Sequence, residues 1–225
     1  MTKLYGNLPV NLGVVGEDID CSEMMYYLYL PVKVPGKTIE FVHDDRLEKF
    51  CPLLDAVYQD FNKRYNDRGK TYRSKYVYLT VKTLYVTPNS MGQRPCWHSD
   101  GFMTDDVNYI WYTKCPTQFF YHKGGFELPQ DHEECIQKLN PLIKDIPSGG
   151  SIKFYPYRSL LRLDETVIHR TYNPLYEGKR TFVKISVSDH IYAHKGNSTN
   201  PAIDLGVEYK DRGISRNCPA THRRD

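Results

Sequence analysis

Pro95-Cys-Trp-His-Ser-Asp-Gly-Phe102 places His98 and Asp100 two residues apart, between a tryptophan and a glycine. In an extended chain, residues two apart share one face, so both side chains reach one point. An imidazole and a carboxylate aimed at one point are the beginning of a metal site. Such pairs also arise by chance, and His43-Asp44-Asp45 is a second one. There the bland reading is better: Leu47, Phe50, Leu54, Val57 and Phe61 recur at helical spacing just downstream. Asp44 and Asp45 are then helix-start residues, and His43 merely precedes them. The first pair acquires meaning only if the rest of the chain supplies the missing parts of a site.

Outward from this stretch the chain breaks into short extended segments. Glu23 to Val34, rich in aromatics, reads as a strand stopped by Pro35-Gly36. Tyr72 to Thr87 alternates with β-branched and aromatic residues, one long strand or two, and breaks at Pro88-Asn89. Asn108–Tyr112 and Thr117–Tyr121 are short strands around Lys114-Cys-Pro. Asp131, with Glu134 three residues on, has the pattern of a capping box opening a helix through Ile136 and Leu139. After the Pro147-Ser-Gly-Gly turn come Ser151–Tyr155, Leu160–Leu163, Thr166–Arg170 and Arg180–Ile191. Closely spaced strands, with helices confined mainly to the first half and one insert, predict a mainly β fold with flanking helices, a sandwich or jelly roll. A single domain over residues 1–225 is expected, with 1–71 as N-terminal strand and helix support.

The bulk numbers agree with a globular chain of this kind. The 225 residues are 40% hydrophobic and 25% charged, enough to bury a substantial core. Nineteen tyrosines and nine phenylalanines lean toward β structure and wet pocket walls. A net charge of +3 is too small to argue for nucleic acid, and the basic tail from Lys210 to Asp225 reads as a solvated terminus. Six cysteines without zinc-ribbon or redox spacing, and no hydrophobic opening segment, point to a reduced, cytoplasmic protein. The longest apolar run, Met24 to Val32, is too short to span a bilayer, so no membrane partner is expected.

The missing ligand is supplied by Val167-Ile-His169-Arg170, a short β-branched run after the acidic turn Leu163-Asp-Glu165. Two imidazoles and one carboxylate cover one face of an octahedral ion and leave the opposite positions open, the facial triad of non-haem Fe(II) oxygenases. Eleven positions beyond His169, Arg180 opens the strand Arg180-Thr-Phe-Val-Lys184. A loop through Asn173-Pro174 and Glu177-Gly178 lets the chain return, so that Arg180 can stand near His169. Its planar guanidinium suits the far carboxylate of a dicarboxylate cosubstrate. Lys184, on the same face of that strand, is a candidate for a substrate anion or a further cosubstrate oxygen.

In order and spacing, His98-Ser-Asp100, His169-Arg170 and Gly178-Lys-Arg180 resemble the iron(II)- and 2-oxoglutarate-dependent dioxygenase superfamily, without identifying a subfamily. The match runs from about Tyr72 to Val187. The segment Gly149-Gly-Ser-Ile-Lys-Phe before the distal histidine strengthens it. The resemblance implies a double-stranded β-helix with residues 72–190 as its core. It also implies His98, Asp100 and His169 as metal ligands and Arg180 as the 2-oxoglutarate anchor. Fe(II), 2-oxoglutarate and O2 would be the cofactor and cosubstrates, and the products would be succinate, CO2 and a hydroxylated or demethylated substrate. The retained Asp100 argues against the halogenase variant, which replaces this carboxylate with a small residue.

Two alternatives belong to other classes. One is a cupin-like metal enzyme that does not use 2-oxoglutarate; cupins usually supply more histidines, and His122, His132, His190 and His194 are too scattered to decide between the two. The other is a non-catalytic jelly-roll binding module whose aromatic face holds a sugar or nucleobase. The substrate class stays open between a small molecule and a macromolecular side chain, and no basic stripe with interleaved aromatics claims nucleic acid. His190 and His194, four apart, mimic a helical zinc pair, but Asn197-Ser-Thr-Asn-Pro follows at once and no third ligand is placed.

Overall fold

A computed structural model describes residues 2–21, 23–40, 45–88, 90, 92, 96–101, 104–144, 148–171 and 176–211. In chain order the described elements begin with β1 (Thr2–Tyr5), β2 (Val10–Val14), β3 (Met25–Lys33), α1 (Asp45–Glu48), α2 (Cys51–Tyr65) and α3 (Lys70–Arg73). Then follow β4 (Tyr76–Val86), β5 (Val107–Tyr112), β6 (Thr117–His122), β7 (Phe126–Pro129) and α4 (His132–Lys144). The last four are β8 (Gly150–Lys153), β9 (Ser159–Leu163), β10 (Ile168–Thr171) and β11 (Gly178–Ser188).

These strands form a six-stranded sheet in the order β2-β9-β5-β11-β4-β3, a three-stranded sheet β10-β6-β8, and the pair β1-β7. Every pairing between them is antiparallel. An isolated antiparallel bridge between His98 and His169 adds the His98 segment to the outer edge of β10. From β4 onward the chain therefore crosses between sheets: large at β4, small at His98, large at β5, small at β6 and β8, large at β9, small at β10, large at β11. That winding is the double-stranded β-helix, a jelly roll.

Side-chain alternation divides the interior into three layers. On β5, Tyr109 and Trp111 face α2, whereas Ile110 and Tyr112 face the small sheet and pack with Phe119, Leu161, Leu163 and Val167. On the far side of the large sheet, Leu53, Leu54, Val57 and Phe61 of α2 cover Val77, Leu79, Val81, Val183 and Ile185. The expected helix is divided: Leu47 falls in α1 and Phe50 is the N-cap of α2, which carries Leu54, Val57 and Phe61, with Pro52 in its first turn and its C-cap Asn66 in the left-handed region at φ 48°. Asp60 ties α2 down: both carboxylate oxygens accept from Arg162 Nη1 at 2.8 Å, and Tyr109 donates its hydroxyl at 2.6 Å. Outside the small sheet, Phe120 and Ile168 pack with Trp97 and with Cys135, Leu139 and Ile143 of α4. Asp131 caps α4, accepting from the amides of Glu133 and Glu134 at 3.0 Å.

Several boundaries differ from the sequence reading. Tyr72 belongs to α3 rather than to a strand, because Asp67 Oδ2 accepts the Thr71 amide at 2.7 Å and holds a helical turn against local β propensity. β10 starts at Ile168, since Asp164 accepts from the Thr166 amide and keeps that residue in a turn. β11 ends at Ser188, whose hydroxyl accepts from the His190 amide. The short edge strands β1, β2 and β7 carried no clear alternation and were not expected. His190 and His194 lie outside any helix, so no helical zinc pair forms. His43 and Asp44, the upstream pair's histidine and first acid, lie outside the described residues, as do Asn173-Pro174 and the tail from Arg212; Asp45 opens α1. Among the described residues no helix is long and apolar enough to cross a membrane.

The α2 contact generates a stability test. Leu54 is 1% exposed beneath the large sheet, so Leu54→Ala is expected to cost about 2–5 kcal/mol in chemical denaturation. Met24→Ala, at a 60% exposed position, should change stability by less than about 0.5 kcal/mol.

Candidate metal centre

His98 and His169 face each other across the edge of the small sheet. Their backbones exchange both hydrogen bonds, His98 N to His169 O at 3.0 Å and His169 N to His98 O at 2.8 Å. The ring centroids are 4.5 Å apart. His169 pairs in register with Phe119, whose ring lies between the sheets, so the imidazole also points inward. Asp100, two residues beyond His98, returns its carboxylate to the same place, with Oδ2 4.0 Å from His169 Nε2. One ligand atom from each of His98, Asp100 and His169 lies within 4.8 Å of the others, and this is the one such group of three among the described residues. The two residues of the opening stretch and the distal histidine, far apart in the chain, are brought together.

The ring tautomers follow from the backbone. His98 Nδ1 lies 2.8 Å from Cys96 O, and His169 Nδ1 lies 3.1 Å from Val167 O. A carbonyl only accepts, so each Nδ1 carries the proton and each Nε2 carries the lone pair. A ligating histidine is usually oriented in this way, by a bond from its second nitrogen.

The carboxylate has a cationic partner. Lys184, on the inward face of β11, donates to Asp100 Oδ2 at 3.0 Å and to the Tyr29 hydroxyl at 3.1 Å. Burial alone would raise the Asp100 carboxyl, but the Lys184 ammonium outweighs it, and Asp100 stays well below the usual carboxylate range. Burial would likewise lower Lys184, and the charge of Asp100 reverses that, so Lys184 stands above its ordinary value. Each group keeps the other charged.

Arg180 sits two turns of the pleat away on the same strand face, 3% exposed. Its Nε donates to the carbonyls of Lys114 at 3.0 Å and Cys115 at 3.2 Å, and the guanidinium lies 5.2 Å from the centroid of the Phe182 ring. Burial pushes its pKa down to about 10, which leaves it charged at neutral pH. Its Nη2 is buried with no hydrogen-bond partner among the described residues. Orphaned buried guanidinium donors are costly, and an anion satisfies them.

Tyr29 was not singled out in the sequence. The register of β3 against β4 shifts between Tyr27 and Leu30, so that Leu28 and Tyr29 together oppose Thr80. Tyr29 adopts φ 47° there, and its amide donates to Thr80 Oγ1 at 3.0 Å. A bulky side chain in the left-handed region costs about 1–3 kcal/mol, and such strain gathers at functional sites. A regular strand would have put Tyr29 on the face of Tyr27, against α2; the bulge turns it inward to Lys184. Pro31 within the strand was the available signal, since a proline in a strand marks an edge or a bulge. Asp105 and Asp106, the next carboxylates along the chain, stand apart from the triad. Asp105 is exposed, and buried Asp106 accepts from Ser188 and Tyr192.

No family model matches the chain, and no curated protein matches it. Solved structures with similar architecture include an oxidoreductase of the 2OG-Fe(II) oxygenase family from Burkholderia pseudomallei. The two are 11% identical with a TM-score of 0.37, covering 77% of this chain and 69% of that one. HygX from Streptomyces hygroscopicus is also similar. With nickel and 2-oxoglutarate bound it gives 12% identity and a TM-score of 0.32, over 69% of this chain and 80% of that one. With iron bound it gives 13% identity and a TM-score of 0.35, over 79% of this chain and 90% of that one.

The two nearby carboxylates are separated by experiment. Asp106→Ala leaves Ser188 and Tyr192 without their acceptor and should cost about 1–3 kcal/mol of stability, with Co(II) affinity unchanged within twofold by absorption titration. Asp100→Ala should instead weaken Co(II) binding at least tenfold. The reverse pattern would mean that the carboxylate ligand has been misassigned.

Proposed function

We propose that the chain is an Fe(II)- and 2-oxoglutarate-dependent oxygenase that hydroxylates its substrate, or demethylates it by way of hydroxylation, releasing succinate and CO2. One observation carries the proposal. A group of two imidazoles and one carboxylate faces the same interior as a buried guanidinium whose Nη2 has no partner among the described residues.

The donor set suits Fe(II) and leaves room on its far side for other ligands. Bound there with 2-oxoglutarate, the iron supplies the O2-dependent oxidation of a C–H bond. The rest falls to the chain's own residues. His98 and His169 offer neutral Nε2 atoms held in orientation by the carbonyls of Cys96 and Val167. Asp100 offers a carboxylate kept ionised and aimed by Lys184. Arg180 takes the far carboxylate of 2-oxoglutarate through its unpartnered side, with Nε already fixed by Lys114 and Cys115. Ile110, Phe119 and Leu161, packed between the sheets, keep water from that interior. The cupin-like alternative calls for a larger histidine set, and the group assembled among the described residues has two histidines.

Purified protein supplied with Fe(II), 2-oxoglutarate and O2 is expected to form succinate, and His98→Ala or His169→Ala should abolish this while circular dichroism stays native. Arg180→Ala should raise the apparent KM for 2-oxoglutarate about 10- to 150-fold, the range expected for one charge-assisted bond, with Fe(II) affinity unchanged. Arg180→Lys should recover part of the loss. Succinate formation that is independent of both histidines would overturn the assignment. So would an Arg180→Ala variant with wild-type dependence on 2-oxoglutarate.

A further inference from the structure

We infer that Lys184 and Tyr29 form a carboxylate-binding subsite for the prime substrate, beside the open side of the metal group. The inference rests on the oxygenase reading and deepens it by naming the substrate's chemical class: a monocarboxylate, or a molecule presenting one carboxylate there.

Three observations lead to it. The first is donor capacity. The ammonium of Lys184 has three protons, of which two go to Asp100 and Tyr29. The third has no acceptor among the described residues, although Lys184 is only 9% exposed. Tyr29 accepts from Lys184, and its own hydroxyl proton likewise has no acceptor among the described residues. Two adjacent donors, one N–H and one O–H, match the two oxygens of a carboxylate.

The second observation is charge. A divalent ion, the Asp100 carboxylate, the dicarboxylate cosubstrate and the Arg180 guanidinium cancel one another. The Lys184 ammonium remains, buried; once Asp100 is shared with the metal the next acid is Asp106, whose two oxygens already accept from Ser188 and Tyr192 and whose carboxyl burial shifts toward its neutral form. One univalent anion restores neutrality, and a phosphate dianion would overshoot it. A buried charge of this kind is retained where it is matched.

The third is the backbone. The bulge at Leu28–Tyr29 puts Tyr29 at φ 47°, with its amide on Thr80 Oγ1, and its effect is to bring the phenol to Lys184. Tyr192 lies with its ring centroid 4.9 Å from that of Tyr29, so the donors are bordered by aromatic surface. Tyr192 is itself committed to Asp106.

Benzoate is a suitable probe, with benzamide as its uncharged counterpart. The Mn(II)-loaded protein saturated with 2-oxoglutarate should shorten the relaxation times of benzoate ring protons and leave those of benzamide much less affected. Tyr29→Phe, which removes one oxygen and keeps the ring, should weaken benzoate binding about tenfold, and Lys184→Met should do so at least tenfold. In Tyr29→Phe the Kd for 2-oxoglutarate should stay within twofold. The inference is overturned if wild-type protein treats benzoate and benzamide alike, or if Tyr29→Phe leaves benzoate binding unchanged. It is also overturned if Lys184→Met, with Mn(II) affinity intact, loses 2-oxoglutarate instead, which would make Lys184 the cosubstrate anchor. Failure of wild-type protein to bind Mn(II) or 2-oxoglutarate at all would sink the oxygenase reading itself, a distinguishable result.

Discussion

The register of β11 is the constraint on which the site depends. This strand runs from Gly178 to Ser188 and is paired on both sides, with β4 over its full length and with β5 over its C-terminal part. Val183, Ile185 and Val187 are locked into the layer beneath α2. The opposite parity then sends Arg180, Phe182, Lys184 and Ser186 toward the small sheet. Because the side-chain period is two, a slip of one residue would bury the two cations against α2 and turn the valines into the site. Apolar packing on one face thus aims the charges on the other.

The small sheet contributes the metal group with far fewer backbone bonds. His98 joins β10 through one reciprocal pair, so the backbone alone holds the two imidazoles loosely. Groups on the outer face make up the difference. Arg170, the residue after His169, stacks its guanidinium 4.2 Å from the ring centroid of Trp97, the residue before His98, and donates to Gln118 at 2.6 Å. Asn140 of α4 accepts from the Trp97 amide at 3.1 Å and donates to its carbonyl at 3.4 Å. A cation–π contact contributes about 0.5–2 kcal/mol, enough to matter where the ladder is one bridge long. The insert helix therefore braces one edge of the candidate metal centre.

Much of this was legible in the chain. The His98–Asp100 spacing, the lone strand histidine at 169 and the basic residue eleven positions beyond it are local patterns, and local patterns survive folding. The alternating strands were legible for the same reason, as was the apolar stripe of residues 47–61, which the structure divides between α1 and α2 at a turn before Cys51. What escaped depends on contacts between distant segments. The inward turn of Tyr29 needs Thr80 opposite a two-residue bulge, and strict alternation predicts the wrong face for it. The Lys184–Asp100 pair joins residues 84 positions apart. The short edges β1 and β7 exist because they pair with each other across more than a hundred residues. Tyr72 is helical because the Asp67 side chain, accepting from both the amide and the hydroxyl of Thr71, outweighs the β propensity of its neighbours.

The central claim is that one interior holds both a metal and the dicarboxylate that chelates it. Anaerobic titration of 2-oxoglutarate into Fe(II)-loaded protein, followed by visible absorption, tests this without any knowledge of the substrate. A metal-to-ligand charge-transfer band that saturates at one equivalent of 2-oxoglutarate per chain is predicted, absent in His169→Ala and displaced to higher 2-oxoglutarate concentration in Arg180→Ala. Stoichiometric Fe(II) binding with no such band at any concentration would contradict the account.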